Sequence, residues 1–255
     1  MDISDAPLRG CGVVVTRPTA QADGLCRAIA SLGGRPIRFP AMEIQALESP
    51  EDRQRLAGTA VYDLLIYVSA NAVRFGPPPA APRSLLAIGN ATRQALEDQG
   101  LAVAEHPQPP YDSEALLDLP RLQQVRGQRI LIVRGLGGRE RLARELRRRG
   151  AVVEYAQVYR RALPDGNEAE LAAAWTRGDV HVVTVTSVEI LENLMRMLSP
   201  VCRALLTTTP LVAASGRVLQ KARSLDFALP ITLAADSGDH AMAEAAVRAL
   251  AHLPD

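Results

Sequence analysis

Lysine is almost missing from this chain: Lys221 is the only one, and every other strongly basic residue is Arg. A broad choice of Schiff-base lysines is thereby excluded. Cysteine is scarce as well. Cys11, Cys26 and Cys202 stand far apart with no CxxC and no Cys/His cluster, so neither a disulfide frame nor a zinc site is indicated. The histidines His106, His181, His240 and His252 are scattered, and none carries an assigned role. Aromatic residues make up 4% of the chain, so Leu, Val, Ile and Ala must supply the cores. No apolar run approaches the ~20 residues of a spanning helix, and no signal peptide is visible, which makes a reducing cytoplasm the expected setting. The net charge of +1 comes without a long basic arm, so nucleic acid is not an expected partner. There is no GxSxG elbow or His/Asp/Ser triad, and no close carboxylate pair at a strand end. GLGGRE at 135–140 fits neither GxGxxG nor a phosphate-binding GxxxxGK[ST] loop.

What the chain does contain is a repeated strand–turn–helix pattern. In RILIVRGLGGRERLARELRRRGAVVEYAQVYRR (129–161), the apolar run Ile130 to Val133 reads as a strand buried on both faces. Gly135, Gly137 and Gly138 break it. Leu142, Ala143 and Leu146 recur at helical spacing, Gly150 stops the helix, and Val152 onward is extended again. Such a turn presents backbone N–H groups and a positive dipole end to an anion. The arginines at 144 and 147–149 read as a solvated helix face.

The same unit stands near the N-terminus, after a loose tail over residues 1–9. GVVVTRPTAQADGLCRAIASLGGRPIRFP aligns on it with Arg17 opposite Arg134. A second unit repeats too. The strand Tyr62 to Ser69 runs into a turn and helix, as does Val180 to Ser187. LLAIGNAT at 85–92 matches LVAASGR at 211–217, and the helix starts at Tyr111–Ser113 and Asp236–Asp239 also match, with Ser113 and Ser237 as N-caps. The order is A1 (8–48), B1 (50–120), A2 (128–163), B2 (165–252). Alternating strands and helices predict α/β architecture with parallel sheets covered on both faces. The Pro-rich stretches 76–83 and 106–110 read as exposed loops, and Pro164-Asp165-Gly166-Asn167 as a connector.

In open parallel sheets, ligands bind beyond the carboxyl ends of the strands. Those ends carry Thr16, Arg17, Ser69, Asn71, Gly89, Asn90, Thr92, Arg134, Gly135, Gly138, Arg139, Ser187, Ser215, Gly216 and Arg217. Hydroxyls, amides, glycines, arginines and helix N-termini suit a ligand with several carboxylates or phosphates. Singly, each Ser or Thr is also what a helix cap requires. Recurrence at equivalent strand ends argues for one anion-rich cleft.

In order and spacing, VTRP (15–18), SANAV (69–73), AIGNAT (87–92), YDSEALL (111–117), ILIVRGLGGRE (130–140), RGAVVEYAQVYRR (149–161), TS (186–187) and VAASGRV (212–218) resemble the uroporphyrinogen-III synthase family over nearly the whole chain. The resemblance implies two interleaved, doubly wound parallel-sheet domains joined by a two-stranded linker. Residues 1–38 with 165–255 would form one, 44–156 the other, and 39–43 and 157–164 the linker strands, with the active site in the cleft and closure on the substrate. It implies a cytoplasmic, monomeric lyase that needs no metal or organic cofactor. Its substrate is a linear tetrapyrrole with eight carboxylates, hydroxymethylbilane, which it closes to uroporphyrinogen III with inversion of ring D. By the same resemblance, Tyr159 in VYRR assists departure of the hydroxyl, and Ser69, Thr92, Ser187 and backbone N–H groups near Gly135 and Ser215 grip the substrate; Tyr111 and Ser113 are expected beside them. Ser69-Ala70 and Ser187-Val188 depart from the Ser-Pro of many members, and Ser215-Gly216 from a Thr-rich turn. The competing readings are a non-catalytic two-lobed binding or sensor module for a polycarboxylate, and a pathway domain without turnover.

Overall fold

The computed structural model describes residues 6–79, 84–109, 111–138, 140–166 and 168–251. In chain order the elements are β1 (Gly12–Val15), α1 (Thr19–Ser31), β2 (Arg35–Arg38), β3 (Glu43–Ala46), α2 (Pro50–Ala57), β4 (Leu64–Tyr67), α3 (Ala70–Phe75), β5 (Leu85–Ala87), α4 (Asn90–Glu97), α5 (Ser113–Leu117) and α6 (Pro120–Gln123). They continue with β6 (Arg129–Gly135), α7 (Arg141–Arg148), β7 (Val152–Ala162), α8 (Ala169–Thr176), β8 (Val182–Val185), α9 (Val188–Met197), α10 (Pro200–Thr207), β9 (Leu211–Ala213), α11 (Gly216–Arg223), β10 (Ile231–Leu233) and α12 (Asp239–Ala251). They form two compact units. One comprises the chain up to Glu43 and from Ala162 onward; the other is Ile44–Arg161. Residues 157–162, part of the stretch expected as linker, belong to β7.

The first unit holds a five-stranded sheet in the order β10-β9-β8-β1-β2, with parallel pairings throughout. The chain enters at β1, steps outward to β2, then returns to the other side of β1 and works outward again. That is the doubly wound order, with its switch point between β1 and β8. Val13, Val15, Val182 and Val212 pack against Leu25 and Ile29 of α1 and Met242 and Ala246 of α12. The other side of β1 and β8 is buried too, at Val14 and Val183.

In the second unit the order is β3-β7-β6-β4-β5, with β7, β6, β4 and β5 parallel. β6–β7 lie to one side of the β6/β4 switch and β4–β5 to the other, so the A and B units pair as in the first sheet but in reversed chain order. A parallel bridge between Leu86 and Glu105 occupies the place that β10 fills there. The run LLIY of β4 shows why these strands read as continuously apolar. Leu64 and Ile66 pack with Leu116, Leu122, Leu142 and Leu146, while Leu65 and Tyr67 face Leu56, Ala72 and Leu96. Scarce as they are, three tyrosines (Tyr62, Tyr67 and Tyr159) are buried in this unit, which the expected aliphatic cores did not include.

Two expectations need correction. The described part of the N-terminal stretch is no loose tail: Leu8 is fully buried, and its N–H donates to the Leu32 carbonyl at 2.9 Å. An amphipathic signal of one residue is too short to register in a periodicity reading. Nor is the arginine run of α7 simply a solvated face. Arg149 donates from Nη1 to the carbonyls of Leu117 and Leu122 (2.8 and 2.9 Å) and from Nε to Glu145. It thus closes the open ends of α5 and α6. Arg147 donates to the Val153 carbonyl at 2.9 Å and lies over the Tyr155 ring. Arg144 and Arg148 are exposed, as expected.

Leu8→Ala should lower stability by about 2–4 kcal/mol, the cost of a buried leucine cavity, read from the urea midpoint. A loss under about 0.5 kcal/mol would mean that residues 6–9 are not packed. Arg149→Ala should cost about 1–3 kcal/mol by orphaning two carbonyls, while Arg148→Ala, which removes an exposed pair, should stay within about 0.5 kcal/mol. Arg148 and then Arg149 hold the Glu145 carboxyl down at about 2, against an ordinary 4.5. The contribution of this clamp is therefore complete above pH 4.5 and fades as the pH falls toward 2. In Glu145→Gln, that part of the acid unfolding curve should flatten.

Candidate functional site

In the second unit, β6 and β4 end side by side at the switch point, β6 at Gly135 and β4 just before Ser69. Ser69 is the N-cap of α3: its extended backbone aims Oγ at the Ala72 N–H, 3.0 Å away. The same Oγ lies 3.1 Å from the Tyr159 hydroxyl. Tyr159 reaches it through a register shift. Arg134 is opposite Gln157 but Gly135 is opposite Tyr159, which leaves Val158 as an extra residue in β7. Along β7, Val153 and Tyr155 pack on one face of the sheet and Ala156 and Val158 on the other. Alternation would send Tyr159 to the face of Val153. The bulge instead puts Val158 and Tyr159 on the same face, toward α3. The ring sits against Gly135, where a Cβ would come within 2.6 Å of two ring carbons, and its centroid is 6.2 Å from that of Phe75.

The turn after β6 is organised from within. Arg134 is buried, and its guanidinium donates from Nη1 to Glu140 Oε1 (2.9 Å), from Nε to the Gly135 carbonyl (3.2 Å) and from Nη2 to the Gly137 carbonyl. The Tyr155 ring lies 4.8 Å from this guanidinium, and the Tyr155 hydroxyl donates to Glu140. That hydrogen bond, with Arg134 behind it, lowers the Glu140 carboxyl, while burial raises the Tyr155 phenol. Gly137 and Gly138 both take positive φ, and a Cβ on Gly138 would meet Arg134 Nη2 at 2.8 Å. Arg139 lies outside the described residues.

The switch point of the first unit repeats this plan. Thr16 is fully buried and turned into the sheet: its Oγ1 donates to the Thr184 carbonyl (2.6 Å), and Thr184 Oγ1 donates to the Val14 carbonyl (2.8 Å). Arg17 pairs with Asp239 at the start of α12 and donates to the Ser237 carbonyl at 2.5 Å. Ser187 and Ser215 cap α9 and α11 by accepting the N–H groups of Ile190 (3.1 Å) and Val218 (3.4 Å). Gly216 and Arg217 are exposed in the first turn of α11. Lys221, further along that helix, pairs with Glu192 of α9 at 2.9 Å.

Beyond β5, Gly89 precedes α4 and lies under Tyr111, whose Cβ and ring would be 2.7 Å from a Cβ at Gly89. Asn90 is exposed, and its Oδ1 accepts from Arg93 Nε (3.2 Å) and Nη2 (2.8 Å); Thr92 is buried, and Asn71 is half-buried in the first turn of α3. Ser113 is not an N-cap. Asp112 takes that role, accepting the Ala115 N–H at 2.8 Å, because its carboxylate reaches the orphan donor one residue earlier. Ser237 is not one either: α12 opens at Asp239, with the Met242 N–H bonded to the Gly238 carbonyl.

The structure therefore joins Ser69, Gly135 and Tyr159 at one switch point, and Thr16, Arg17 and Ser187 lie at the strand ends that flank the other. Glu140, Tyr155 and Asp239 were missed as partners of the two strand-end arginines. A buried guanidinium needs a carboxylate, so the acids six residues after Arg134 and near the start of the last helix were the available signal.

A family model described as uroporphyrinogen-III synthase HemD matches residues 23–236. The uroporphyrinogen-III synthase of Salmonella typhimurium is 36% identical over 192 residues, covering 71% of this chain and 78% of the relative. That of Escherichia coli is 33% identical over 226 residues, covering 84% and 92%. Among solved structures, a mutant uroporphyrinogen III synthase of Thermus thermophilus aligns over 95% of this chain and 100% of its own, with a TM-score of 0.62 at 22% identity. The Helicobacter pylori synthetase aligns over 93% and 98%, with a TM-score of 0.60 at 14% identity. The two structures speak for the α/β fold; the family match and the sequence relatives establish that the chain belongs to the uroporphyrinogen-III synthase family.

Proposed function

We propose that this chain is a lyase of tetrapyrrole biosynthesis that cyclises hydroxymethylbilane to uroporphyrinogen III. Family membership over most of the chain carries the reading, and the tyrosine hydroxyl at a sheet's switch point supports it. The reaction removes one water. The terminal hydroxyl leaves with a proton, and the pyrrole that carried it becomes an azafulvene. The substituted carbon of ring D attacks this carbon to give a spiro pyrrolenine. Fragmentation and reclosure then invert ring D. Tyr159 is the proton source for the departing hydroxyl, directly or through a water that it orients. Everything else the reaction needs is positional: four pyrroles must be folded so that the attacking carbon meets the azafulvene before the unsubstituted carbon does.

Eight substrate carboxylates ask for many weak anion grips rather than one strong one. The turns at Ala70–Asn71, Gly89–Thr92, Ser187 and Ser215–Arg217 supply them as hydroxyls, an amide and N–H groups at helix starts. Arg17 and Arg134 serve differently in this reading. Each is paired with a carboxylate of its own unit and shapes the turn that binds.

With freshly made hydroxymethylbilane, the purified chain should yield uroporphyrinogen III. Isomer I alone, the spontaneous product, would sink the enzyme and favour a binding module. Tyr159→Phe should slow turnover by about tenfold or more while lowering stability by no more than the one lost hydrogen bond, about 0.5–1.5 kcal/mol; undiminished turnover would remove Tyr159 from the chemistry.

A further inference from the structure

We infer that Ser69 and Gly135 are positioning residues that seat the Tyr159 hydroxyl, and that Ser69 serves the phenol instead of a substrate carboxylate. The inference rests on the reading of Tyr159 as proton source. Ser69 Oγ has one proton to give and two lone pairs. One lone pair takes the Ala72 N–H at 3.0 Å. The Tyr159 oxygen, 3.1 Å away, is placed to accept the proton. With Ser69 donating, the phenol keeps its own proton for the departing hydroxyl, and the negative charge that grows on its oxygen as that proton leaves is met by the serine O–H. A serine committed in this way has no donor left for a carboxylate.

Gly135 defines the opposite wall. A Cβ there would lie 2.6 Å from Cε2 and Cζ of Tyr159 and 3.0 Å from its hydroxyl oxygen. Those ring atoms belong to a buried side chain, also backed by Phe75, so the ring can give way only by leaving Ser69. The Leu136 N–H donates to the Tyr159 carbonyl at 2.7 Å, which ties the backbone of the tyrosine to the same turn. Glycine at 135 and a hydroxyl at 69 are thus two halves of one seat.

The chain contains five tyrosines, so ζ-13C-tyrosine labelling of the full-length protein gives a readable spectrum. The Tyr159 line is the one lost in Tyr159→Phe. Ser69→Ala and Gly135→Ala should each displace that line and lower kcat by about tenfold with KM changed less than about twofold. Neither should reduce kcat further when combined with Tyr159→Phe. Ser69→Thr, which keeps the hydroxyl, should restore the line and most of kcat. Ser49→Ala, which removes only the cap of α2, should alter neither. If Gly135→Ala does not fold, the Ser69 variants decide alone. An unmoved Tyr159 line in Ser69→Ala, or a raised KM at unchanged kcat, overturns the inference, because Ser69 would then be a substrate grip. Full turnover in Tyr159→Phe with a line that still moves in the Ser69 and Gly135 variants would instead sink the chemical role of Tyr159 and leave its seat standing.

Discussion

A parallel sheet covered by helices on both faces can keep very few polar side chains. Its strands are buried along their length and mostly apolar, as in the fully buried runs GVVV, LLIY and VVTV here. Polar chemistry is pushed to the turns beyond the strand ends, and the doubly wound order decides which turns adjoin. Where neighbouring strands run on to opposite sides, their following segments diverge and leave a gap that helices do not fill. In the second unit that gap lies between the ends of β6 and β4, and the Tyr159 hydroxyl is delivered there.

The two arginines at equivalent strand ends show how charge is managed under this constraint. Arg134 is 5% exposed and the Arg17 side chain 12%, so both are better off with a carboxylate close by. Glu140 and Asp239 answer that need, and each arginine spends further donors on carbonyls of its turn. An arginine so engaged adds little net attraction for an anion. What it contributes is a turn of fixed shape, which in the proposed function presents hydroxyls and N–H groups to the substrate. A substrate that must be folded, used and released is better held by such neutral donors than by buried charge pairs.

The alternation of strands and helices was legible because both periods are strong, and the internal repeat marked out the A and B units, while their interleaved pairing was implied by the family resemblance. The repeat also explains why Arg17 and Arg134 play matching parts. Elements one residue long were not legible. Leu8 enters a core with no periodicity around it. Asp112 caps α5 one position before the serine that composition favoured. Arg149 and Arg148 are neighbours in an arginine run, yet one closes two helix ends and the other points to solvent, and only the tertiary placement of α5 and α6 tells them apart. At the site, the residue types at the strand ends could be read, while their direction could not: Thr16 has a hydroxyl at a strand end but turns it into the sheet.

The bulge in β7 is the clearest case, because nothing in AQVYRR announces it. Strict alternation would carry the Tyr159 ring to the face of Val153 and Tyr155, away from Ser69. One extra residue, Val158, reverses that. Bulges are rare in parallel pairs and give up regular ladder bonding, so this one needs a compensating contact. A buried phenol that finds a hydroxyl partner, above a glycine that leaves room for its ring, provides it. The dependence then runs both ways. Tyr159 needs the bulge to reach Ser69, and the bulge needs the seat to be worth its lost pairing. If the proposed catalysis is mainly positional, this coupling matters more than any single donor: displacing the backbone at 158 by one residue would leave every side chain of the site present and the phenol on the wrong face of the sheet.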